Sequence, residues 1–173
     1  MSEYVKSKIR NIIDFPKKGI IFRDITTACK DSKALKKIID YFTEQFKGKG
    51  IDYVAAVESR GFIFGSALAY NIGAGLILIR KAGKLPAEVV SQEYELEYGT
   101  DKIEIHKDAV EKGKRVLLID DLLATGGTIE AGCRLIKKAG GIPVACAFVI
   151  ELAELKGREK INSDVDVISM LKY

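Results

Sequence analysis

The run Val116-Leu117-Leu118-Ile119-Asp120-Asp121-Leu122-Leu123-Ala124-Thr125-Gly126-Gly127-Thr128 joins an apolar strand to two adjacent aspartates, a glycine turn and the start of a helix. Such a strand delivers its carboxylates to the edge of the sheet where α/β folds bind ligands. The glycines let backbone amides approach an anion, and a helix N-terminus offers unpaired N–H groups and a positive dipole end. Thr125 and Thr128 add hydroxyl donors. A carboxylate repels phosphate, so Asp120 and Asp121 make sense facing hydroxyls or a cation. The phosphate is then left to Ala124, Thr125, Gly126, Gly127 and Thr128. A ribose 5-phosphate, with vicinal hydroxyls beside one phosphate, supplies that combination. A solvated turn before a helix is the plainer reading of a Gly-Gly-Thr alone, and the full string argues against it. No lysine follows the glycines as in a Walker loop, and no GxGxxG string occurs.

The rest of the chain repeats the strand-then-helix pattern. Apolar runs at 53–57, 75–79, 116–119 and 142–150 alternate with helical stretches over 61–70 and 128–139. That alternation predicts an α/β fold with a mainly parallel sheet covered on both faces. Ahead of it, Tyr4, Val5, Lys8, Ile9, Ile12 and Ile13 have helical spacing, predicting a helix over 4–13 that stops at Phe15-Pro16. Ser32 to Phe46 reads as a second amphipathic helix, with Ser32 as N-cap and Leu35, Ile38, Ile39 and Phe42 inward. Between 81 and 111 the chain turns polar, with Val89-Val90 and Ile103-Glu104-Ile105 as hairpin strands around Gly99. A long excursion of this kind inside a compact domain is usually a functional lid or a disordered insert. No linker or repeat divides the chain, so residues 1–173 read as one domain.

Composition excludes several function classes. The 173 residues are 47% apolar and 30% charged, with no apolar run near the ~18 residues of a membrane span. The N-terminal residues carry no apolar signal segment. Cys29, Cys133 and Cys146 are odd in number and widely spaced, which points to reduced thiols in a cytoplasmic protein and away from disulfides or a zinc site. The net charge of +4 is dispersed among acids; a nucleic-acid binder usually clusters its charge on one face, a small polyanionic substrate suits this excess equally well, and composition alone does not choose between them.

The Asp-Asp-glycine string resembles the phosphoribosyl-diphosphate signature of the type I phosphoribosyltransferases, and its Leu-Leu-Ala-Thr-Gly-Gly-Thr form resembles their adenine-using branch. The resemblance continues through Phe15-Pro16 to Asp24, Glu58-Ser59-Arg60-Gly61-Phe62, Arg80-Lys81 to Lys84-Leu85-Pro86, Leu96-Glu97-Tyr98-Gly99 and Leu155-Lys156-Gly157-Arg158-Glu159, in the family's order. It implies the type I fold: a central, mainly parallel sheet flanked by helices, a small N-terminal base-binding hood over 1–30 and a mobile hairpin lid over 81–105. It implies transfer of ribose 5-phosphate from 5-phosphoribosyl 1-diphosphate to adenine, giving AMP and diphosphate, with Mg2+ held mainly through the diphosphate. It further implies a homodimer. Transfer to xanthine or to hypoxanthine and guanine, and a purine-responsive nucleic-acid-binding regulator, are the competing readings. A chain of 173 residues leaves no room for an added DNA-binding domain.

The same resemblance assigns residues. Asp120 and Asp121 hold the ribose hydroxyls, and Ala124, Thr125, Gly126, Gly127 and Thr128 anchor the 5-phosphate. Arg60, Arg80 and Lys84 meet the diphosphate, Lys81 being left unassigned, and a cis peptide is expected at Glu58-Ser59. Glu97 and Tyr98 match the family's catalytic loop, where a glutamate accepts a proton from the purine imidazole edge. Ile21, Phe22 and Arg23 resemble the adenine pocket: apolar side chains sandwich the base, and a main-chain carbonyl near Arg23 accepts from its amino group. The plainer alternative is that Ile21 and Phe22 belong to the core. His106 is read as a surface or helix-start residue without a catalytic role, and Cys133 and Cys146 as buried thiols. The Leu155-Lys156-Gly157-Arg158 stretch carries no chemistry that its residues declare.

Overall fold

The computed structural model describes residues 2–95 and 99–173. Helix α1 (Ser2–Lys8) leads into a separate antiparallel pair, β1 (Arg10–Ile13) and β2 (Ile21–Asp24), followed by α2 (Thr26–Lys30) and α3 (Ser32–Phe46). Strand β3 (Tyr53–Val57), α4 (Gly61–Ile72) and β4 (Gly75–Lys81) form one βαβ unit. A hairpin of β5 (Val89–Glu95) and β6 (Thr100–His106) follows. A second unit comprises β7 (Arg115–Leu123), α5 (Gly127–Lys138) and β8 (Ile142–Glu151), and the chain ends on β9 (Asp166–Lys172) after 3-10 turns at Ala153–Leu155 and Gly157–Lys160.

The main sheet has the order β5-β6-β4-β3-β7-β8-β9. Strands β4, β3, β7, β8 and β9 run parallel, and the hairpin adds an antiparallel edge through Arg80↔Glu104. Alternation along the strands builds two cores. Val54 and Ala56 of β3 and Leu117 and Ile119 of β7 face α1, α3 and α4. Ala55, Val57, Val116 and Leu118 face α5 and the hairpin, whose Tyr94, Ile103 and Ile105 are buried with them. The alternation slips at the aspartates, since Leu122 packs on the same side as Ile119.

Three local expectations need correction. The helix expected over 4–13 ends at Lys8, and residues 10–13 pair as β1 with β2 from Arg10↔Asp24 to Ile13↔Ile21. The β-branched Ile12 and Ile13 suit a strand, and Arg10 meets Asp24 at 2.5 Å across the pair. Helix α3 is capped by Asp31, whose carboxylate accepts from Ala34 N at 2.9 Å; Ser32 is its first helical residue. His106 ends β6, half-buried, with Nε2 turned inward. Strand β9 has no clean apolar run in the sequence, because Asp166, Ser169 and Lys172 interrupt its apolar residues.

Candidate active site

Strand β3 has β4 on one side and β7 on the other, and α4 and α5 leave on opposite faces of the sheet. The carboxyl ends of β3 and β7 therefore open a crevice between diverging chains, where an α/β sheet takes its ligand. Glu58, Ser59, Arg60, Lys81, Asp120 and Asp121 line it. A second hollow, lined by Asp120 and the turn from Leu122 to Ile129, adjoins the first through Asp120.

Both aspartates sit inside β7 rather than beyond it, and their carboxylates differ. The Asp121 side chain is 7% exposed and accepts from Nε of Arg60, the residue that opens α4. Asp121 N donates to Asp120 Oδ1 at 2.8 Å. Burial, then the charge of Asp121, push the Asp120 carboxyl well above the usual carboxylate range. Gly61 makes this packing possible: a Cβ there would lie 2.9 Å from Ile119 O and 3.2 Å from Asp120 Oδ1. Cys29 of α2 reports how near the N-terminal unit comes, since burial and then the charges of Asp121 and Asp24 raise its pKa.

The turn after β7 is lined by glycines and leads into an uncapped helix start. Gly126 adopts φ 82°, a conformation that favours glycine, and a Cβ on it would stand 2.2 Å from Gly157 O. Helix α5 then starts at Gly127 without a side-chain cap, so its first N–H groups are open to a ligand. The hairpin leans over this turn: a Cβ on Gly127 would lie 3.5 Å from Glu95 O and 3.7 Å from the Tyr94 ring.

At the other end of the crevice, Glu58 organises the cations. A cis peptide joins it to Ser59. Its carboxylate accepts from Arg80 Nε and Nη2, both at 3.2 Å, and from Lys81 N at 2.9 Å. The hydrogen bonds from Arg80 lead the causes that hold its pKa below the usual glutamate value. Arg80 Nη1 also donates to Lys84 O at 3.2 Å, and Lys81 Nζ meets Asp101 at 2.7 Å.

Residues 26–172 match the family described as the phosphoribosyl transferase domain. An adenine phosphoribosyltransferase of Clostridium botulinum is 53% identical over 169 residues, 98% of each chain. The chain belongs to the adenine phosphoribosyltransferase family. Within that family, the crystal structure from Thermoanaerobacter pseudethanolicus has a TM-score of 0.96 at 52% identity, with all of both chains covered. The Saccharomyces cerevisiae enzyme, complexed with D-2,5-dideoxy-2,5-imino-altritol 1,6-bisphosphate and adenine, has a TM-score of 0.92 at 38% identity over 98% of each chain. The type I phosphoribosyltransferase fold, with its mainly parallel sheet, thus stands as expected, and the chain is an enzyme of the glycosyltransferase class.

The structure brings Arg60, Asp120 and Asp121 into one crevice and sets Ala124, Thr125, Gly126, Gly127 and Thr128 beside it. Arg80 and Lys84 share a corner through Glu58 and the Lys84 carbonyl. Ile21, Phe22 and Arg23 stand apart, on the two-stranded sheet. Ile21 is 46% exposed and Phe22 meets Phe15 edge-on at 5.3 Å, so neither belongs to the core. The Arg23 guanidinium donates to Asn11 Oδ1 at 2.6 Å and stacks 4.2 Å from the Tyr173 ring. Glu97 and Tyr98 lie outside the described residues. Sequence reasoning left Glu58 without a role of its own. Its signal was an acid at a strand end inside an otherwise anion-binding loop.

Proposed function

We propose that this chain transfers the 5-phosphoribosyl group from 5-phospho-α-D-ribose 1-diphosphate to adenine, giving AMP and diphosphate in purine salvage. One observation carries the reading: two strand-end aspartates share a wall with an uncapped, glycine-lined helix start, so hydroxyl-binding and phosphate-binding groups adjoin. The adenine named in the relatives' activity, and bound in the Saccharomyces complex, supports the choice of base over hypoxanthine, guanine or xanthine.

In this reading Ala124, Thr125, Gly126, Gly127 and Thr128 take the 5-phosphate, and that remote binding positions the anomeric carbon. Asp120 and Asp121 take the ribose hydroxyls. The bond to diphosphate breaks largely before the base bonds, so positive charge grows on the sugar ring, and a neighbouring positive charge favours the ionised form of Asp120. Arg60 exchanges Asp121 for diphosphate oxygens as the donor enters, which frees Asp121 for the ribose. Arg80, steadied by Glu58, and Lys84 compensate the leaving diphosphate. Ile21 and Phe22 sandwich the base, and the main chain at Arg23 reads its amino group. Glu97, with Tyr98 beside it, accepts the proton from the imidazole edge. The lid over 81–105 excludes water from the donor, and the hood over 1–30 carries the base, both within the single domain 1–173.

Mg2+ favours oxygen ligands and commonly binds through one or two carboxylates plus substrate phosphates. Among the described residues no group of three His, Cys, Asp or Glu converges, and of the crevice carboxylates Glu58 is held by Arg80 and Asp121 by Arg60, which leaves Asp120 beside them. This donor set suits Mg2+ bound mainly through the diphosphate, where it would neutralise charge on the leaving group. A homodimer belongs to the same reading. Leu76 and Leu78 share a sheet face with Val54 and Ala56, and with Ile63 of α4 each is 40–44% exposed, an apolar surface that a second copy could cover. Three free thiols suit the reducing cytoplasm, and among the described residues no helix is long and apolar enough to cross a membrane.

The test is incubation with the donor, Mg2+ and each of adenine, hypoxanthine, guanine and xanthine, reading nucleotide formation. AMP is expected, with adenine preferred on the order of 10⁴-fold where a buried polar group would be left unpaired by the wrong base. Comparable rates with hypoxanthine would overturn the choice of base, and no nucleotide from any purine would overturn the transfer itself. In filter binding with nucleic acid at fixed salt, retention is expected to be absent; tight retention would favour the regulator instead.

A further inference from the structure

The stretch Leu155-Lys156-Gly157-Arg158 touches no reacting group, yet it stands directly behind the phosphate turn. A Cβ on Gly157 would lie 2.1 Å from Ala124 O and 2.8 Å from Gly126 N, just as one on Gly126 would lie 2.2 Å from Gly157 O. Two backbones touch here with no side chain between them. Lys156 enters the contact at φ 51°, and Gly157 is buried.

What holds Gly157 in place is the next residue. Arg158 Nε and Nη2 donate to Glu151 Oε1 and Oε2 at 3.1 and 2.7 Å, and Nη1 donates to Val167 O at 2.7 Å. Glu151, only 5% exposed, ends β8 and is in register with Leu123, the last residue of β7 before the phosphate turn. Leu152 N donates to Leu123 O at 2.9 Å, and Tyr173 N to Glu151 O at 2.9 Å. A bidentate pair, buried on its Glu151 side and partly exposed at Arg158, thus ties the 153–160 turn to the strand ends from which the phosphate turn departs.

We propose that Gly157, held by the Arg158–Glu151 pair, is a positioning residue that aims the amides of 124–127 at the sugar 5-phosphate. This rests on the reading that those amides take that phosphate. The physical reason lies in the turn itself. Gly126 gives it backbone freedom, and no side chain caps α5, so the direction of its N–H groups is set by what the turn leans on. Anion binding by backbone donors depends on holding them in the productive pose before the ligand arrives. Lysine at 158 would keep the charge and lose the fork that grips both carboxylate oxygens.

The test compares wild-type protein with Gly157→Ala and Arg158→Lys by thermal melting, steady-state kinetics with donor and adenine, and titration of AMP against adenosine. For Gly157→Ala the donor KM and the AMP dissociation constant are expected to rise about tenfold, with the adenine KM and adenosine binding unchanged. Arg158→Lys is expected to move the same two constants about threefold while its melting midpoint stays near wild type. A folded Gly157→Ala protein with wild-type AMP affinity, or one that loses AMP and adenosine equally, overturns the proposal. If Gly157→Ala fails to fold, Arg158→Lys decides: an unchanged donor KM overturns it. Wild-type protein that binds AMP no better than adenosine would instead sink the phosphate-turn reading beneath it.

Discussion

In the proposed reading, the glycine turn after β7 and the N-terminal hood would recognise their ligands in opposite ways. At the turn, main chain meets main chain, Gly126 against Gly157 with no side chain between them, and in the adjoining crevice Gly61 lets α4 close on Ile119 O and Asp120. In the hood, the candidate base contacts are half-exposed side chains on a two-stranded sheet, steadied by Phe15 against Phe22 and Arg23 over Tyr173. Every ribose 5-phosphate presents the same anion, so a fixed backbone cradle suits it. The base is what distinguishes one purine substrate from another, and side chains on a light scaffold can be exchanged without rebuilding the sheet. The crevice carboxylates belong to the first region, and changes there should cost most.

Asp121→Asn should strike that region hardest. Turnover is expected to fall about hundredfold with the fold retained, the scale of losing one preorganised polar group at a reacting centre. Steady-state kinetics beside a melting curve check it, and wild-type turnover in a folded variant would erase the contrast. Next, Glu58→Gln should raise the donor KM about tenfold with the adenine KM unchanged, since Arg80 and Lys81 N lose their anionic anchor. Equal effects on both constants would mean that Glu58 serves the whole crevice rather than its diphosphate end.

Phe22→Ala should do the reverse, raising the adenine KM about fivefold with the donor KM unchanged, from the loss of part of an aromatic contact surface. A donor effect of the same size would show the two regions to be one. The smallest effect is on acid stability. Hydrogen bonds from the Thr26 hydroxyl and Arg10, then Thr26 N, lower Asp24 from 3.8 to about 2. A depressed folded pKa means that its stabilisation is complete above the unfolded value and disappears as pH falls from about 4 to about 2. Asp24→Asn should flatten that limb of the melting-midpoint profile, and an unchanged slope would show that the hood does not report on acid stability.

Much of the local structure at the proposed phosphate turn was legible in advance because its residues are contiguous. Strand, aspartates, glycines and helix start occupy residues 116–128, and short-range pattern carries each of them. The parallel sheet was legible for the same reason, as apolar runs alternating with helices. Less was legible where partners are distant. Residues 10–13 have helical spacing in isolation and become β1 only because β2 pairs with them. Glu58 looked like one residue of an anion loop until Arg80, 22 positions later, closed on it.

The sequence alone determined the α/β class, the strand–glycine-turn–helix at 116–128 and the family, because each depends on residues that are neighbours along the chain. Tertiary structure decided which charges pair, which glycines are pressed backbone to backbone, and that Arg158 fastens the turn at Gly157 to the end of β8. Those outcomes depend on distances between segments that meet only after the sheet has formed, and no local pattern encodes them.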